Sequence, residues 1–212
     1  MLLTYLKEKR VIMEFTHKRT IQITALLLLL LAITQAVFTA LYSSGISFSR
    51  QYAWGFEAVI FTVLAAFAST AMVQAKNAQL GWSAITLSAV LNIVQVSIGL
   101  TLFSTFGQVA GAVEGAKPLI GGVVSLSFMI YYAAKLLLGL AAVVFGLSFV
   151  AKGGKAIGGL TAIAGVVAMF ANTILIIFGR DGFLPSGVAG ASGMIATLLL
   201  AFCLISLNRK AG

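Results

Sequence analysis

Two ionisable residues stand inside apolar stretches where charge is costly. Glu57 belongs to Trp54-Gly55-Phe56-Glu57-Ala58-Val59-Ile60-Phe61, and Lys135 to Tyr131-Tyr132-Ala133-Ala134-Lys135-Leu136. If those stretches cross a bilayer, each charge costs about 2.5–3.5 kcal/mol at the membrane centre and less toward the interface. A residue kept at such a cost needs a partner or a ligand. An ammonium attracts an anion, and a carboxylate can hold the ammonium or take up a proton. Uncharged polar residues share the setting: Gln35, Asn92, Gln95, Asn172 and Ser192. Ser88, Asn92, Gln95 and Gly99 recur at steps of four, three and four, which puts them on one helix face. Thr161, Gly165, Ala168 and Asn172 repeat that pattern.

The expected ligand-binding set is Glu57, Lys135, Asn92, Gln95, Asn172, Tyr131 and Tyr132, with the two tyrosines shaping the mouth of an outward-facing pocket. Plainer readings stay open beside it. Glu57 and Lys135 can form a structural salt bridge, or Lys135 can extend its stem toward the interface. Asn and Gln can bond across a helix contact for about 0.6 kcal/mol each. Gly139, Gly146, Gly187, Gly190 and Gly193 read as close-packing positions between membrane helices.

Other chemistry lacks its parts. His17 is the only histidine and lies in the basic N-terminal stretch, so one chain cannot supply a two-histidine haem or a His/Cys metal site. A Ser/His/Asp set is excluded for the same reason. Ser125, Ser127 or Ser192 beside Lys135 would be the remaining nucleophile pair, but nothing marks a nucleophile elbow. No catalytic residue, no metal and no cofactor is expected, and enzymatic activity is disfavoured. Cys203 stands alone in an apolar run and reads as a small core residue.

The elements that must carry these residues follow from composition. The 212-residue chain is 60% hydrophobic and 9% charged, against roughly 25% charged in soluble domains. Its apolar runs reach the roughly 20 residues that a membrane helix needs. Short alternating segments of a membrane barrel are absent. The expected fold is therefore all-α: a polytopic bundle of six transmembrane helices with short loops. The spans fall at about 22–43, 53–75, 82–105, 121–150, 156–178 and 186–207. Residues 107–118 read as a loop with at most a turn of interfacial helix. The long run from Leu119 to Val150 is either one tilted helix or one broken at Gly121-Gly122. Pro185 is placed in the first turn of the last helix, and Trp82 at the membrane interface.

Charge orients the bundle. The net charge of +9 comes from basic residues at helix ends, which points to membrane orientation and not to nucleic acid. With six spans, the side of the termini holds Lys7, Lys9, Arg10, Lys18, Arg19, Lys76, Lys152, Lys155, Arg209 and Lys210. The other side holds Arg50, Lys117 and Arg180. Ten against three makes both termini cytoplasmic. Glu57 then lies about four residues inside the outer end of its span. Lys135 lies about sixteen residues from its inner end, roughly 24 Å into a core of about 30 Å. Both belong to the outer half. Residues 1–20 form a basic cytoplasmic segment, read either as an amphipathic interfacial helix or as a tail. A cleaved signal is disfavoured because the apolar run outlasts a signal core. Residues 209–212 form a short cytoplasmic tail.

Size, short loops and charge bias point to a bacterial inner membrane. A membrane enzyme acting on a lipid through the outer pocket is the weakest reading, for the missing parts above, and two functions stand ahead of it. One is a small transporter or channel for a small polar or anionic solute. The other is a non-transporting structural or assembly subunit of a larger membrane complex. The expected partners are the lipid bilayer, a small-molecule solute, and either a second copy or complex subunits meeting the glycine-rich helix faces.

Overall fold

The computed structural model describes residues 15–46, 48–180 and 182–210. They form six helices: α1 (His17–Ser43), α2 (Arg50–Gln74), α3 (Gln79–Ala112), α4 (Lys117–Ala151), α5 (Lys155–Phe178) and α6 (Ser186–Lys210). All six are long and apolar enough to cross a membrane. The chain is an integral membrane protein of the all-α class. Backbone groups in hydrocarbon must find partners within the protein, and helices satisfy them locally. An even number of helices puts both ends of the bundle on one side, called here the near side. Thr16 caps α1, its hydroxyl accepting from Arg19 N at 3.4 Å. Of the N-terminal segment, residues 1–14 lie outside the described residues, as do 211 and 212 of the tail; His17 to Thr20 already belong to α1.

Several expectations need correction. Residues 107–118 are not a loop. Helix α3 continues to Ala112, α4 starts at Lys117, and residues 113–116 make the whole connection. Gly107 and Gly111 each weaken a helix by only about 1 kcal/mol, and no proline interrupts the ladder before Pro118. Likewise α4 runs unbroken through Gly121-Gly122 for 35 residues, about 52 Å of helix. The ends of α3 and α4 thus extend past a bilayer core as a helical hairpin. Pro185 precedes α6, and its carbonyl accepts from Val188 N at 2.9 Å. Trp82 is no interfacial anchor: it is buried, edge-on to Phe145 at 4.8 Å. The Phe145 ring fills the space where Gly81 lacks a side chain, 2.6 Å from where a Cβ would stand. That gap draws both rings inward.

The helices are arranged around an interior. Successive neighbours touch, α6 closes back on α1, and α4 also touches α6. Helices α1, α2, α3, α4 and α6 therefore form a ring, and α5 lies outside it against α4 and α6. The α4–α5 interface is the most extensive. It is built on two reciprocal glycine pairs spaced seven residues apart on each helix. A Cβ on Gly139 would stand 2.8 Å from Gly165 O, and one on Gly165 2.5 Å from Gly139 O. Gly146 and Gly158 face each other in the same way, at 2.7 Å in both directions. Such backbone approach supplies van der Waals contact where lipid offers no hydrophobic drive between helices. We predict that Gly165→Val destabilises the bundle by about 1–3 kcal/mol through overpacking. Gly187→Ala, which would meet nothing within 4 Å, should stay within about 0.5 kcal/mol. Unfolding midpoints in mixed detergent micelles would compare the two; equal midpoints would refute the glycine-pair account.

Candidate functional site: a polar cavity inside the ring

Each ring helix contributes one face to an interior cavity. From α1 come Leu31 and Gln35, from α2 Glu57 and Phe61, and from α3 Asn92 and Gln95. From α4 come Tyr131, Lys135 and Leu138, and from α6 Thr197. The spacings of three, four or seven residues are those of single helix faces. The cavity measures about 20 Å³. One water needs roughly 10–15 Å³ by that measure, so there is room for one.

Lys135 is 3% exposed, which decides against its reaching a surface. Its Nζ donates to Gln35 Oε1 at 2.7 Å and lies 5.2 Å from the Tyr131 ring centroid. Gln35 Nε2 in turn donates to the Tyr131 hydroxyl at 2.9 Å. Space for the lysine stem comes from α6. A Cβ on Gly193 would stand 2.9 Å from Lys135 Cδ. Glu57 has its own partner on α1, the Thr34 hydroxyl, at 3.1 Å from Oε1. That hydroxyl also lies 3.1 Å from Leu31 O. Adjacent residues of α1, Thr34 and Gln35, thus serve the carboxyl and the ammonium separately. Among the described residues, Glu57 and Lys135 form no ion pair within 4.0 Å.

The amides of α3 are held from behind. Asn92 Nδ2 donates to Ser88 O at 2.9 Å, and Ser88 Oγ donates to Ala134 O at 2.8 Å. Gln95 Nε2 donates to Ser127 Oγ at 3.3 Å. On the far side the cavity is roofed by one aromatic layer. Trp54, one helical turn beyond Glu57, packs its six-membered ring directly on Gly99. Phe38 and Phe103 flank it at 6.1 and 5.8 Å between ring centroids. Beyond Phe38 an open hollow of about 280 Å³ is lined by Tyr42, Phe48 and Arg50 among others. On the near side the floor is apolar: Leu28, Leu64, Ile85, Leu200 and further core residues are all buried.

Five of the seven residues expected at the site share this cavity: Glu57, Lys135, Asn92, Gln95 and Tyr131. Asn172 and Tyr132 do not. Asn172 is on α5, outside the ring, and its Nδ2 donates back to Ala168 O at 2.8 Å. Tyr132 packs with Ala171, Leu175 and Ala189 on the α5–α6 side of α4. Tyr132 Oη and Asn172 Oδ1 are both buried without a hydrogen-bond partner. Gln35, Glu57, Gln95 and Tyr131 are half-buried, so the cavity is not fully closed from outside. Thr34 and Thr197 were missed, and Gly193 was read as a packing glycine without its link to Lys135. Hydroxyls and glycines are frequent in membrane helices, so only Thr34, adjacent to Gln35, carried a readable signal. Among the described residues no three His, Cys, Asp or Glu side chains gather as a metal site would need.

No family model, no curated protein and no solved structure matches this chain. The site is therefore read from its own geometry. We predict that Gln35→Leu, which removes the acceptor of the Lys135 ammonium, costs about 1.5–3 kcal/mol of stability. Leu26→Ala, at a side chain 58% exposed, should cost far less. Detergent unfolding midpoints measure both, and an undisturbed Gln35→Leu would show that the ammonium does not depend on this contact.

Proposed function

We propose that the protein is a small secondary transporter of the bacterial inner membrane, carrying a small polar or anionic solute through the Glu57–Lys135 cavity. The observation that carries this is the separation of the two charges. They line one cavity yet rest on different neutral partners. A purely structural pair would recover its desolvation cost by direct contact. Among the described residues Lys135 uses one hydrogen bond of its three donors, and the spare donors suit a carboxylate or a similar anion. A cavity of about 20 Å³ is too small for an open pore, which fits a carrier better than a channel. The single aromatic layer on the far side, against several apolar layers on the near side, favours entry past Trp54. The solute must widen a space with room for only one water, which requires the helices around it to shift.

The test is uptake into liposomes carrying the purified protein. Short radiolabelled carboxylates and inorganic anions would be offered under a membrane potential and under a pH gradient. We predict that Lys135→Ala lowers uptake at least about tenfold, the equivalent of one lost charge-assisted contact of about 1.5 kcal/mol or more. Asn172→Ala, outside the ring, should stay within about twofold. Wild-type uptake no greater than that of empty liposomes for every solute, with a stoichiometric membrane partner co-purifying, would instead identify an assembly subunit.

A further inference from the structure

The cavity with room for one water also holds an unmatched set of hydrogen-bonding groups. The Lys135 ammonium has two donors beyond its bond to Gln35. The Tyr131 hydroxyl accepts from Gln35 and keeps its own proton to give. Among the described residues, Asn92 Oδ1 and Gln95 Oε1 accept no hydrogen bond, although both residues line the space. A bound water makes about three hydrogen bonds and here has both donors and acceptors around it. The groups facing Glu57 are countable: Thr34 and Gln35 from α1, Asn92 and Gln95 from α3, Tyr131 and Lys135 from α4, Thr197 from α6. Lys135 is the only cation among them.

The Thr34 contact is compatible with two protonation states of Glu57. Its hydroxyl has one proton and stands 3.1 Å from both Leu31 O and Glu57 Oε1. If that proton serves Leu31 O, the second contact is a full hydrogen bond only when Glu57 is the acid and donates to Thr34 Oγ1. If Glu57 is ionised, Thr34 must divide its proton between two acceptors. The same geometry accommodates both forms, as a site that gains and loses a proton requires.

We infer that the cavity is a proton-transfer site in which Lys135 and Glu57 exchange one proton through a single bridging water. An Nζ–H bond of the ammonium breaks as the water oxygen takes that proton. A water O–H bond breaks as its proton joins the Glu57 carboxylate. The ion pair becomes a neutral amine and a neutral acid, the water is regenerated, and no oxidant or reductant takes part. The cavity suits a proton better than a metal cation, because an ammonium already occupies it. Its use in transport rests on the carrier reading above. A monoanion docking on Lys135 leaves the site uncharged overall only when Glu57 carries a proton, so each monoanion would bring one proton with it.

The exchange is tested without any solute. Purified protein in lipid nanodiscs, carrying isotopically labelled glutamate, is titrated from mildly acidic to mildly alkaline pH while the infrared carbonyl stretch of protonated carboxyl is followed. Wild type should show a pH-dependent band that shifts in heavy water. Glu57→Gln should abolish it, and Lys135→Gln should move its pH midpoint by about one unit or more, as loss of a nearby charge does. Asn172→Ala should leave the midpoint unchanged. Should Glu57→Gln fail to fold, Thr34→Val assigns the band by shifting its frequency. No band at any pH, a band that survives Glu57→Gln, or an unmoved midpoint in Lys135→Gln would overturn the inference. A band that behaves as expected in protein that moves no anion would sink the transport reading and leave the proton site standing.

Discussion

An ammonium buried in a bilayer must be solvated by protein, and this requirement governs the interior of the bundle. Lys135 obtains its solvation from Gln35, across the ring from α4 to α1. Helices α1 and α4 are not packing neighbours, so this polar contact spans the interior. The amide also orients Tyr131, which places one aromatic face beside the same ammonium. A neutral amide satisfies one donor without cancelling the charge. The cavity therefore keeps an electrostatic character that a lysine–glutamate contact would have extinguished.

The surrounding packing serves that arrangement. Gly193 leaves room for the lysine stem, and Gly99 leaves room for Trp54 to close the roof. A side chain at either position would meet the group it accommodates. On the other side of α4, the paired glycines bring α5 in until the two backbones nearly touch. Helix α4 is thereby held against α5 around Gly139 and Gly146, while its opposite face carries Tyr131, Lys135 and Leu138 into the cavity. The charged residue stands on the most firmly packed helix of the protein. Its partner Gln35, and the Thr34–Glu57 pair, stand on α1 and α2, which no such glycine seam secures.

Much of the site was legible beforehand for a simple reason. Helix rise is constant, so depth in the membrane follows from counting residues, and a face follows from steps of three and four. Glu57, Lys135, Asn92, Gln95 and Tyr131 emerged together because their depth and their faces agree. Asn172 has a matching depth and a matching helical face, yet lies outside the cavity. Depth and periodicity say nothing about which helix borders which. The missed residues failed differently. Thr197 bonds to Gly193 O of its own helix, as membrane hydroxyls commonly do, and its sequence context does not set it apart.

By itself the sequence determined the number and class of the helices, because the length of an apolar run and the cost of charge in hydrocarbon are local properties. The 107–118 stretch shows the limit of that locality. Small and polar residues look like a loop there, yet a helix continues wherever its backbone bonds are not broken. Tertiary structure alone decided the ring. Which faces meet depends on how closely backbones approach, and that was settled by glycine pairs on α4 and α5. With α5 drawn outside, five helices enclose the space. It is their packing that brought Glu57 and Lys135 to one cavity and kept them from each other.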